Sequence, residues 1–428
     1  MKPREPDWLL IGPALDRILS AAPRMPVELV ELNAVLGRTL AEAVSSPVDH
    51  PPWANSAMDG YAVRTPDVRG ARSDAPIRLR VIESVAAGEF PKLVVGSAEA
   101  TQITTGAPLP DGADCVVRVE HTRPVGQGAI DVLDDVDAGR NVRGRGEDMR
   151  RGDPVLEAGV VVRPGETGVL AMVGRSTVPV SRRPRVGILS TGNELADLDE
   201  FDQVLAGRRI VNSNTYALRA SAIEAGADPV SLGIARDDAD DLKRHLEPAL
   251  PLDALVTTAG ASVGEHDGVK DALESMGMRT EFWRVRIRPG SPFSFGLLPR
   301  PERPDLPVFG LPGNPVSAVV TFEILVKPAL RRMLGRQSVY PPTLMVRAAH
   351  RIRSSPGLVR FLRVRLERRE GEYLASLTGE QGSGIMTSVA RADALLVVPL
   401  DTEIIEEGET ATAVPMAPSD HAQRTPGF

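Results

Sequence analysis

Three glycine-containing segments, at residues 190–194, 259–267 and 310–315, combine flexible backbone with hydroxyl or amide side chains. In each of them a glycine lets the backbone approach a ligand closely. In the third, Asn314 is a natural N-cap and Pro315 takes the first helical position, so the free N–H groups of the helix can receive an oxyanion such as phosphate. Any one segment could be a capped turn, but three at one sheet edge favour a ligand site.

Acidic residues fall within or beside these segments. Glu194 lies in the first and Asp267 in the second, while Asp237 and Asp238 follow a further strand. Carboxylates beside an anion site suit a hard cation such as Mg²⁺, which bridges protein to phosphate oxygens. One acid could instead cap a helix, and we expect Asp238 to be that cap and Asp237 to be the site residue.

Arg284, Arg286 and Arg288 alternate with apolar residues just before Pro289. Side chains alternate between the two faces of a strand, so the three guanidinium groups are expected on one face. Guanidinium groups bind phosphate and other oxyanions through paired hydrogen bonds. A solvated strand face is the alternative.

A second group of candidates lies between residues 51 and 148. Asp59 sits in a tight turn at 55–63, Thr105 in the turn at 104–108, and Arg143 and Asp148 in the turn at 143–148. Each turn places glycine next to a carboxylate, hydroxyl or guanidinium group. Each could equally be a loop that enters a strand.

The elements that must hold these segments follow from hydrophobic periodicity. Residues 8–44 and 163–173 show helical spacing, whereas 51–148 contains short alternating runs between turns, which indicates an inserted β domain. From residue 185 strands alternate with helices, which predicts a doubly wound, mostly parallel α/β sheet with ligands at the carboxyl ends of its strands. From residue 337 the period returns to two, which predicts a C-terminal β domain. The predicted α/β strands are 186–189, 229–234, 254–258, 280–286 and 307–311, and the helices are 213–225, 238–250, 267–276 and 315–334.

The predicted fold class is therefore multidomain, α/β plus β, in four domains and a tail. The boundaries are 1–50 with 149–182 for a split helical domain, 51–148 for the inserted β domain, 183–335 for the α/β domain, 336–418 for the C-terminal β domain and 419–428 for the tail.

Composition narrows the classes of protein. Of 428 residues 42% are hydrophobic and 25% charged, as in folded globular proteins. The net charge is −7 without a long basic run, which excludes nucleic acid as a partner. Cys115 is the single cysteine and the six histidines lack ligand-like spacing, which excludes an internal disulfide and a His/Cys zinc site. With no apolar stretch of about 20 residues, we expect a cytoplasmic protein without membrane contact.

Six motifs occur in the order found in the molybdopterin molybdenumtransferases, the family of bacterial MoeA and the matching domain of gephyrin. The chain resembles that family from about residue 9 to 415. The motifs are Ser-Ala-Met-Asp-Gly-Tyr-Ala at 56–62, Thr-Gly-Ala-Pro at 105–108, Arg-Gly-Glu-Asp at 145–148, Ser-Thr-Gly-Asn-Glu-Leu at 190–195, Ser-Val-Gly-Glu at 262–265 and Gly-Leu-Pro-Gly-Asn-Pro-Val-Ser at 310–317.

The resemblance implies a molybdopterin-binding α/β domain, a C-terminal β-barrel and a homodimer whose cleft uses the α/β domain of one subunit and the inserted domain of the other. It implies that molybdate is inserted into adenylylated molybdopterin while the adenylate is hydrolysed with release of AMP, with Mg²⁺ required. Molybdopterin adenylyltransferase and maturation chaperones of molybdenum enzymes are the implied partners.

The resemblance also assigns roles to residues. The implied functional acids are Asp59, Asp148, Glu194, Asp237 and Asp267, of which Glu194 and Asp267 are expected nearest the metal and the phosphoanhydride. The implied substrate-binding residues are Thr105, Arg143, Ser262, Arg284, Arg288, Pro312, Pro315 and Ser383.

The chain departs from the family pattern at a few positions. Arg284 and Arg288 stand where lysines are usual and keep the charge, but Ser291 replaces the lysine of a Pro-Gly-Lys-Pro segment and removes one cation. Ala259, Ala261 and Ala54 also differ from the usual residues. Two alternatives therefore stay open: a molybdopterin-binding chaperone or scaffold without turnover, and a relative that inserts tungstate.

Overall fold

A computed structural model describes residues 8–258 and 268–416. The chain divides into two compact units. The smaller comprises Glu42–Glu157 and Pro164–Ser176, and the larger comprises the residues up to Ala41, Ala158–Arg163 and those from Thr177 onward. None of the helices in the described ranges is long and apolar enough to cross a membrane.

The smaller unit is built on a six-stranded sheet. Its strands, in spatial order, are Cys115–Arg118, Gly60–Val63, Glu99–Ile103, Ile77–Val85, Ala129–Val132 and Thr122–Val125. Alternate side chains, such as Tyr61, Val63 and Val117, fill one buried cluster. Short strands at Val44–Ser45, Asn55–Ser56, Val142–Arg143 and Pro154–Leu156 and the helix Pro164–Met172 complete the unit.

The first part of the larger unit corrects one prediction. Helical spacing over 8–44 predicts a helix, but the helix spans Ile11–Ala21 alone, and Val27–Glu31 is a strand paired with Thr177–Ser181. The reason is proline: the residue before a proline is disfavoured in helical conformation, and Pro23 and Pro26 follow the helix directly.

The α/β domain has a six-stranded sheet, as the alternation of strands and helices predicts. Its strands, in spatial order, are Asp228–Ala235, Arg185–Thr191, Ala254–Thr258, Leu306–Leu311, Ser294–Leu298 and Arg279–Trp283. The first four strands run parallel to one another, Ser294–Leu298 runs antiparallel to Leu306–Leu311, and Arg279–Trp283 runs antiparallel to Ser294–Leu298. The flanking helices are Phe201–Leu205, Ser213–Ala225, Ala239–Leu246, Gly268–Ser275, Pro315–Thr321 and Lys327–Met333, and short strands Leu195–Ala196 and Ile210–Val211 pair beside them.

The predicted helix over 315–334 is helical through Met333, with one π-helical turn at Phe322–Val326. Pro328 explains this turn, because proline lacks an N–H group and its ring clashes with the carbonyl four residues earlier.

The strand predicted over 280–286 ends at Trp283, which overturns the prediction of three arginines on one strand face. Arg284 has a left-handed φ of 76° that breaks the strand. Beyond it, Ile287–Arg288 pairs in parallel with Val359–Arg360 of the C-terminal domain.

The C-terminal domain is a closed five-stranded barrel. Its strands, around the barrel, are Val359–Arg369, Glu372–Leu377, Leu344–Ala348, Thr410–Pro415 and Ala394–Val398, and the last pairs back to the first. A two-stranded ladder of Ile352–Arg353 with Ile404–Ile405 and the helix Met386–Ala390 flank it. Because Arg288 pairs with a barrel strand, the α/β loop that contains Arg288 lies against the barrel.

Candidate active site

In the smaller unit, Asp59 and Thr105 form one hydrogen-bonded pair. Oδ1 of Asp59 accepts from the backbone N–H of Thr105 at 2.7 Å and from its Oγ1 at 2.9 Å. These two bonds stabilise the carboxylate, so they hold the pKa of Asp59 below its usual range. Both residues are exposed, and the pair therefore presents a charged carboxylate at the surface.

Backbone hydrogen bonds bring three of the predicted turns of this unit together. The N–H of Gly106 donates to the carbonyl of Ser56 at 2.8 Å, and the N–H of Ala57 donates to that of Asn141 at 2.9 Å. Arg143 pairs with Asn55 in a short antiparallel ladder. Asp59, Thr105 and Arg143 therefore lie on connected turns.

Asp148 lies in the turn at 143–148, but its hydrogen bond connects it to residue 50 and not to the Asp59 and Thr105 pair. Its N–H donates to the carbonyl of His50 at 3.0 Å, and Arg145 pairs with Asp49 at 2.7 Å. Within the described ranges, the Asp148 carboxylate makes no hydrogen bond to the Asp59 and Thr105 pair.

Thr105→Val is expected to raise the pKa of Asp59 toward its ordinary value near 4. It should not reach that value, because the backbone N–H is the larger cause of the lowered pKa and stays in place. A carboxyl NMR titration measures the change. A carboxylate whose pKa is lower in the folded state than in the unfolded state stabilises the fold at pH values above the unfolded pKa. This stabilisation is lost as the pH falls through the folded pKa. Because the folded pKa of Asp59 is higher in the variant, the variant should lose the stabilisation at a higher pH than the unmodified protein.

Thr101→Val is the matched control, because the Thr101 hydroxyl is buried without a hydrogen-bond partner. An unchanged Asp59 pKa in Thr105→Val would contradict the assignment of the pair.

In the larger unit, Glu194 and Asp237 lie on adjacent loops at the carboxyl edge of the sheet. The N–H of Gly192 donates to the carbonyl of Ala235 at 3.2 Å, and the N–H of Asp237 donates to Oδ1 of Asn193 at 3.4 Å. Both acids are exposed. Asp238 is the helix cap as predicted, because its Oδ1 accepts from two N–H groups of the helix that follows.

The loop at 259–267, with Ser262 and Asp267, lies outside the described residues. The strand Ala254–Thr258 precedes this loop and the helix Gly268–Ser275 follows it.

A buried polar network supports this edge of the sheet. Oγ of Ser190 lies 2.9 Å from Oδ1 of Asn212, 2.9 Å from Oγ1 of Thr215 and 3.0 Å from Oγ1 of Thr258. Thr215 and Thr258 come from a helix and a neighbouring strand, and nothing local in the sequence pairs them with Ser190. A satisfied buried network rigidifies the loops that it joins.

A cleft of about 740 Å³ lies where the α/β domain meets the barrel, and residues of both domains line it. Its polar lining comprises Arg288, Ser291, Asn314, Ser317, Arg360, Arg363, Gln381 and Ser383. Of the predicted residues, Arg288 and Ser383 therefore share one cleft. Pro312 is buried and Pro315 half-buried in the adjoining turn.

The helix that begins at Pro315 is capped differently from the prediction. Asn314 occupies the N-cap position, but its side chain makes no capping hydrogen bond. The N–H of Val316 donates to the carbonyl of Ser383 at 3.1 Å, so this first-turn donor holds the C-terminal domain instead of facing a ligand. Arg284 lies over the Trp8 ring, 5.2 Å from its centroid, away from the strand face predicted for it.

The sequence analysis missed several residues of this cleft, namely Ser317, Arg360, Arg363 and Gln381, and Arg363 is the most buried arginine among them. Its side chain is only 1% exposed, and it donates through Nε to Oγ of Ser388 at 3.1 Å and through Nη2 to the carbonyl of Gly382 at 3.0 Å. Burial lowers its pKa, and no carboxylate in the described part of the chain forms an ion pair with it. A buried cation in a polar cleft without a counter-charge is suited to bind an anion.

The only signal in the sequence is an arginine within the strand predicted over 359–366. On its own, that signal does not separate an anion site from a solvated strand face.

Fold and cleft together define a multidomain α/β and β-barrel protein with a cationic cleft where the α/β domain meets the barrel. Three family models match its parts: "MoeA N-terminal region (domain I and II)" over residues 11–174, "Probable molybdopterin binding domain" over 187–332 and "MoeA C-terminal region (domain IV)" over 345–416.

Whole-chain relatives give the same result. A molybdopterin molybdenumtransferase of Nostoc sp. is 36% identical over 89% of this chain and 87% of its own length, and one of Bacillus subtilis is 33% identical over 94% and 92%. The crystal structure of the molybdopterin biosynthesis moeA protein of Pyrococcus horikoshii OT3 matches with a TM-score of 0.82 and 30% identity, over 95% of this chain and all of that one. The chain belongs to the MoeA family of molybdopterin molybdenumtransferases, enzymes of molybdenum cofactor biosynthesis. The resemblance and the fold class predicted from the sequence are confirmed.

Proposed function

We propose that the protein inserts molybdate into adenylylated molybdopterin and hydrolyses the adenylate with release of AMP, in a reaction that requires Mg²⁺. The observation that carries this proposal is the cleft around Arg363. It combines a buried guanidinium, which has no ion-pair partner among the described residues, with Arg288 and with the hydroxyl groups of Ser317 and Ser383.

This lining suits a tetrahedral oxyanion. Guanidinium groups donate paired, charge-assisted hydrogen bonds to oxyanions, and hydroxyl groups complete the shell with neutral donors. Arg363 is already oriented by Ser388 and Gly382, so little side-chain ordering remains to be done when the anion binds. We assign molybdate to this lining.

The acids of the neighbouring loops fit a divalent cation. Glu194 and Asp237 are exposed carboxylates on adjacent loops, and oxygen donors are the ligands that Mg²⁺ prefers. We propose that Glu194 and Asp267 hold Mg²⁺, which when bound would withdraw charge from the phosphoanhydride. Asp237 is proposed to orient the attacking water.

In the smaller unit, Asp59, Thr105, Arg143 and Asp148 are proposed to serve the same reaction. The charged Asp59 carboxylate, held by Thr105, is the strongest candidate among them. Ser262, Arg284, Pro312 and Pro315 stay predicted substrate-binding residues.

The homodimer, the cytoplasmic location, and the adenylyltransferase and chaperone partners stay predictions from the resemblance. Sedimentation of the purified protein tests the first of them directly.

Ser291 is the observation that favours a scaffold without turnover. It lines the cleft, and its hydroxyl donates to the carbonyl of Ile287, so it supplies neither a cation nor a free donor proton. A scaffold would bind adenylylated molybdopterin tightly without releasing AMP.

The test is AMP release from adenylylated molybdopterin with Mg²⁺ and with molybdate, tungstate or neither. We expect molybdate-dependent release by the unmodified protein, and a loss of at least about 100-fold in Glu194→Ala and in Asp267→Ala, as for the removal of a group that stabilises the transition state. Asp240→Ala is the control, since Asp240 is exposed in the next helix.

Tight binding without release would replace the proposal by the scaffold. Release that depends on tungstate alone would replace molybdate by tungstate as the substrate.

A further inference from the structure

A second cleft of the larger unit lies where the helix Lys327–Met333 ends. It is an open cleft of about 790 Å³ and shares no lining residue with the cleft around Arg363. Its lining includes Arg331, Arg336, Ser338 and Tyr340, together with residues 159–161. No step of the proposed reaction uses these residues.

The guanidinium of Arg336 has no partner in the described ranges. It makes no side-chain hydrogen bond or ion pair there, and its Nε is buried without an acceptor. It lies against the end of the helix Ser213–Ala225, where a Cβ on Gly226 would come within 2.7 Å of its Nη2. Burial and the charge of Arg331 lower the pKa of Arg336 to about 10.

Arg331 adds a second cation to the same cleft. Its Nη1 donates to the carbonyls of Tyr340 at 3.0 Å and Val339 at 3.3 Å, which fixes the lining segment, while its Nε is buried without an acceptor. Burial lowers its pKa too, and the charge of Glu323 offsets this only in part. Two adjacent guanidinium groups repel each other in a low-dielectric setting.

Arg300 shows how another half-buried arginine of this chain finds hydrogen-bond acceptors. Its Nη1 donates to the carbonyls of Leu250 and Leu252, and its Nε and Nη2 donate to that of Pro304. Arg336 has none of these bonds. The nearby helix C-terminus attracts a cation, but none of its carbonyls accepts a hydrogen bond from Arg336. A guanidinium that lacks an acceptor among the described residues is suited to an anionic ligand.

We propose that this second cleft binds a phosphate-bearing small molecule, with Arg336 and Arg331 as the donors to its phosphate. The fork of a guanidinium matches phosphate geometry, and the volume of the open cleft lies within the range of small-molecule sites. Ser338 and Tyr340 at the rim are exposed and can contact the rest of the ligand.

The test counts bound phosphate by equilibrium dialysis of the full-length protein, with inorganic phosphate and with AMP as separate probes. Arg336→Met should bind one equivalent less than the unmodified protein. Arg300→Met is the matched control for loss of a half-buried arginine, and it should keep that equivalent. Ser338→Glu places a carboxylate at an exposed lining position, so it should abolish the same equivalent even if Arg336→Met folds poorly.

A second readout comes from thermal unfolding in chloride at matched ionic strength. Arg336→Met should melt at or above the temperature of the unmodified protein, because it removes a half-buried charge that has no partner among the described residues. Arg300→Met should melt lower. Equal phosphate stoichiometry in the unmodified protein, Arg336→Met and Ser338→Glu overturns the proposal. AMP release by Arg336→Met should be unchanged, so the two proposals fail separately.

Discussion

Arg363→Met is expected to lower molybdate-dependent AMP release by at least about 100-fold at subsaturating molybdate, which corresponds to about 2.7 kcal/mol. Hydrogen bonds to charged groups contribute about 1.5 to 3 kcal/mol each, and a buried guanidinium that forms a pair of them loses both when it is replaced. Methionine keeps most of the side-chain volume, so packing around the cleft is retained. The apparent KM for molybdate should rise, while the KM for the adenylylated substrate stays close to that of the unmodified protein.

Two further variants separate binding from folding. Arg365→Met is the matched control, because Arg365 is exposed on the same strand, and it should retain full activity. Arg363→Lys keeps the charge but not the fork, and its single nitrogen cannot occupy the positions of both Nε and Nη2, which bond Ser388 and Gly382. It should recover only part of the loss. An Arg363→Met protein with an unchanged KM for molybdate would show that the oxyanion binds elsewhere.

Local signals explain the parts of the fold that were predictable. The helix Ser213–Ala225 has the predicted bounds, because Asn212 caps its first turn and Gly226, with a φ of 93°, ends it. The strand Ala254–Thr258 also matches, as a continuous apolar run buried on both faces. Caps, periodicity and turn residues act over a few positions, so they can be read from one sequence.

The elements that were missed depend on distant pairing. The strand Ser294–Leu298 is held between Arg279–Trp283 and Leu306–Leu311, and Thr410–Pro415 closes the barrel between two strands that precede it by many residues. The run Ser-Phe-Gly-Leu-Leu at 294–298 has no sustained alternation, and the alternation at 410–413 consists only of threonine and alanine, which are small residues with a weak hydrophobic contrast. Their partners decide their conformation, which explains why periodicity does not find them.

The candidate site likewise has features that local sequence predicts and features that depend on distant pairing. The sequence singled out Asp59 and Thr105, but their hydrogen bonds join positions 46 residues apart. Arg363 was missed because its role depends on a cleft formed by two domains. The residue types of a site can be predicted from local chemistry, whereas its charge balance requires the packed structure.

Gly60→Ala is expected to destabilise the smaller unit by about 3 kcal/mol, at the upper end of the range for overpacking. Gly60 is the first residue of a strand that pairs on both sides, with Arg118 and with Ile103. A Cβ at this position would lie 2.1 Å from the carbonyl oxygen of Val117 and 2.9 Å from its carbonyl carbon. Backbone inside a sheet cannot move aside as a flexible side chain would, so the ladder must separate.

The effect should reach the site as well, because the carbonyl of Asp59 accepts from the N–H of Val119 at 3.1 Å in the same ladder. Denaturant unfolding measures the loss of stability, and the NMR titration of Asp59 reports whether its pair with Thr105 survives. Gly168→Ala is the control: this exposed helical glycine has open space around its Cβ position, and alanine should stabilise the helix by about 1 kcal/mol or less. If Gly60→Ala unfolds at the same denaturant concentration as the unmodified protein, the sheet accommodates a side chain there and glycine is not what places Asp59.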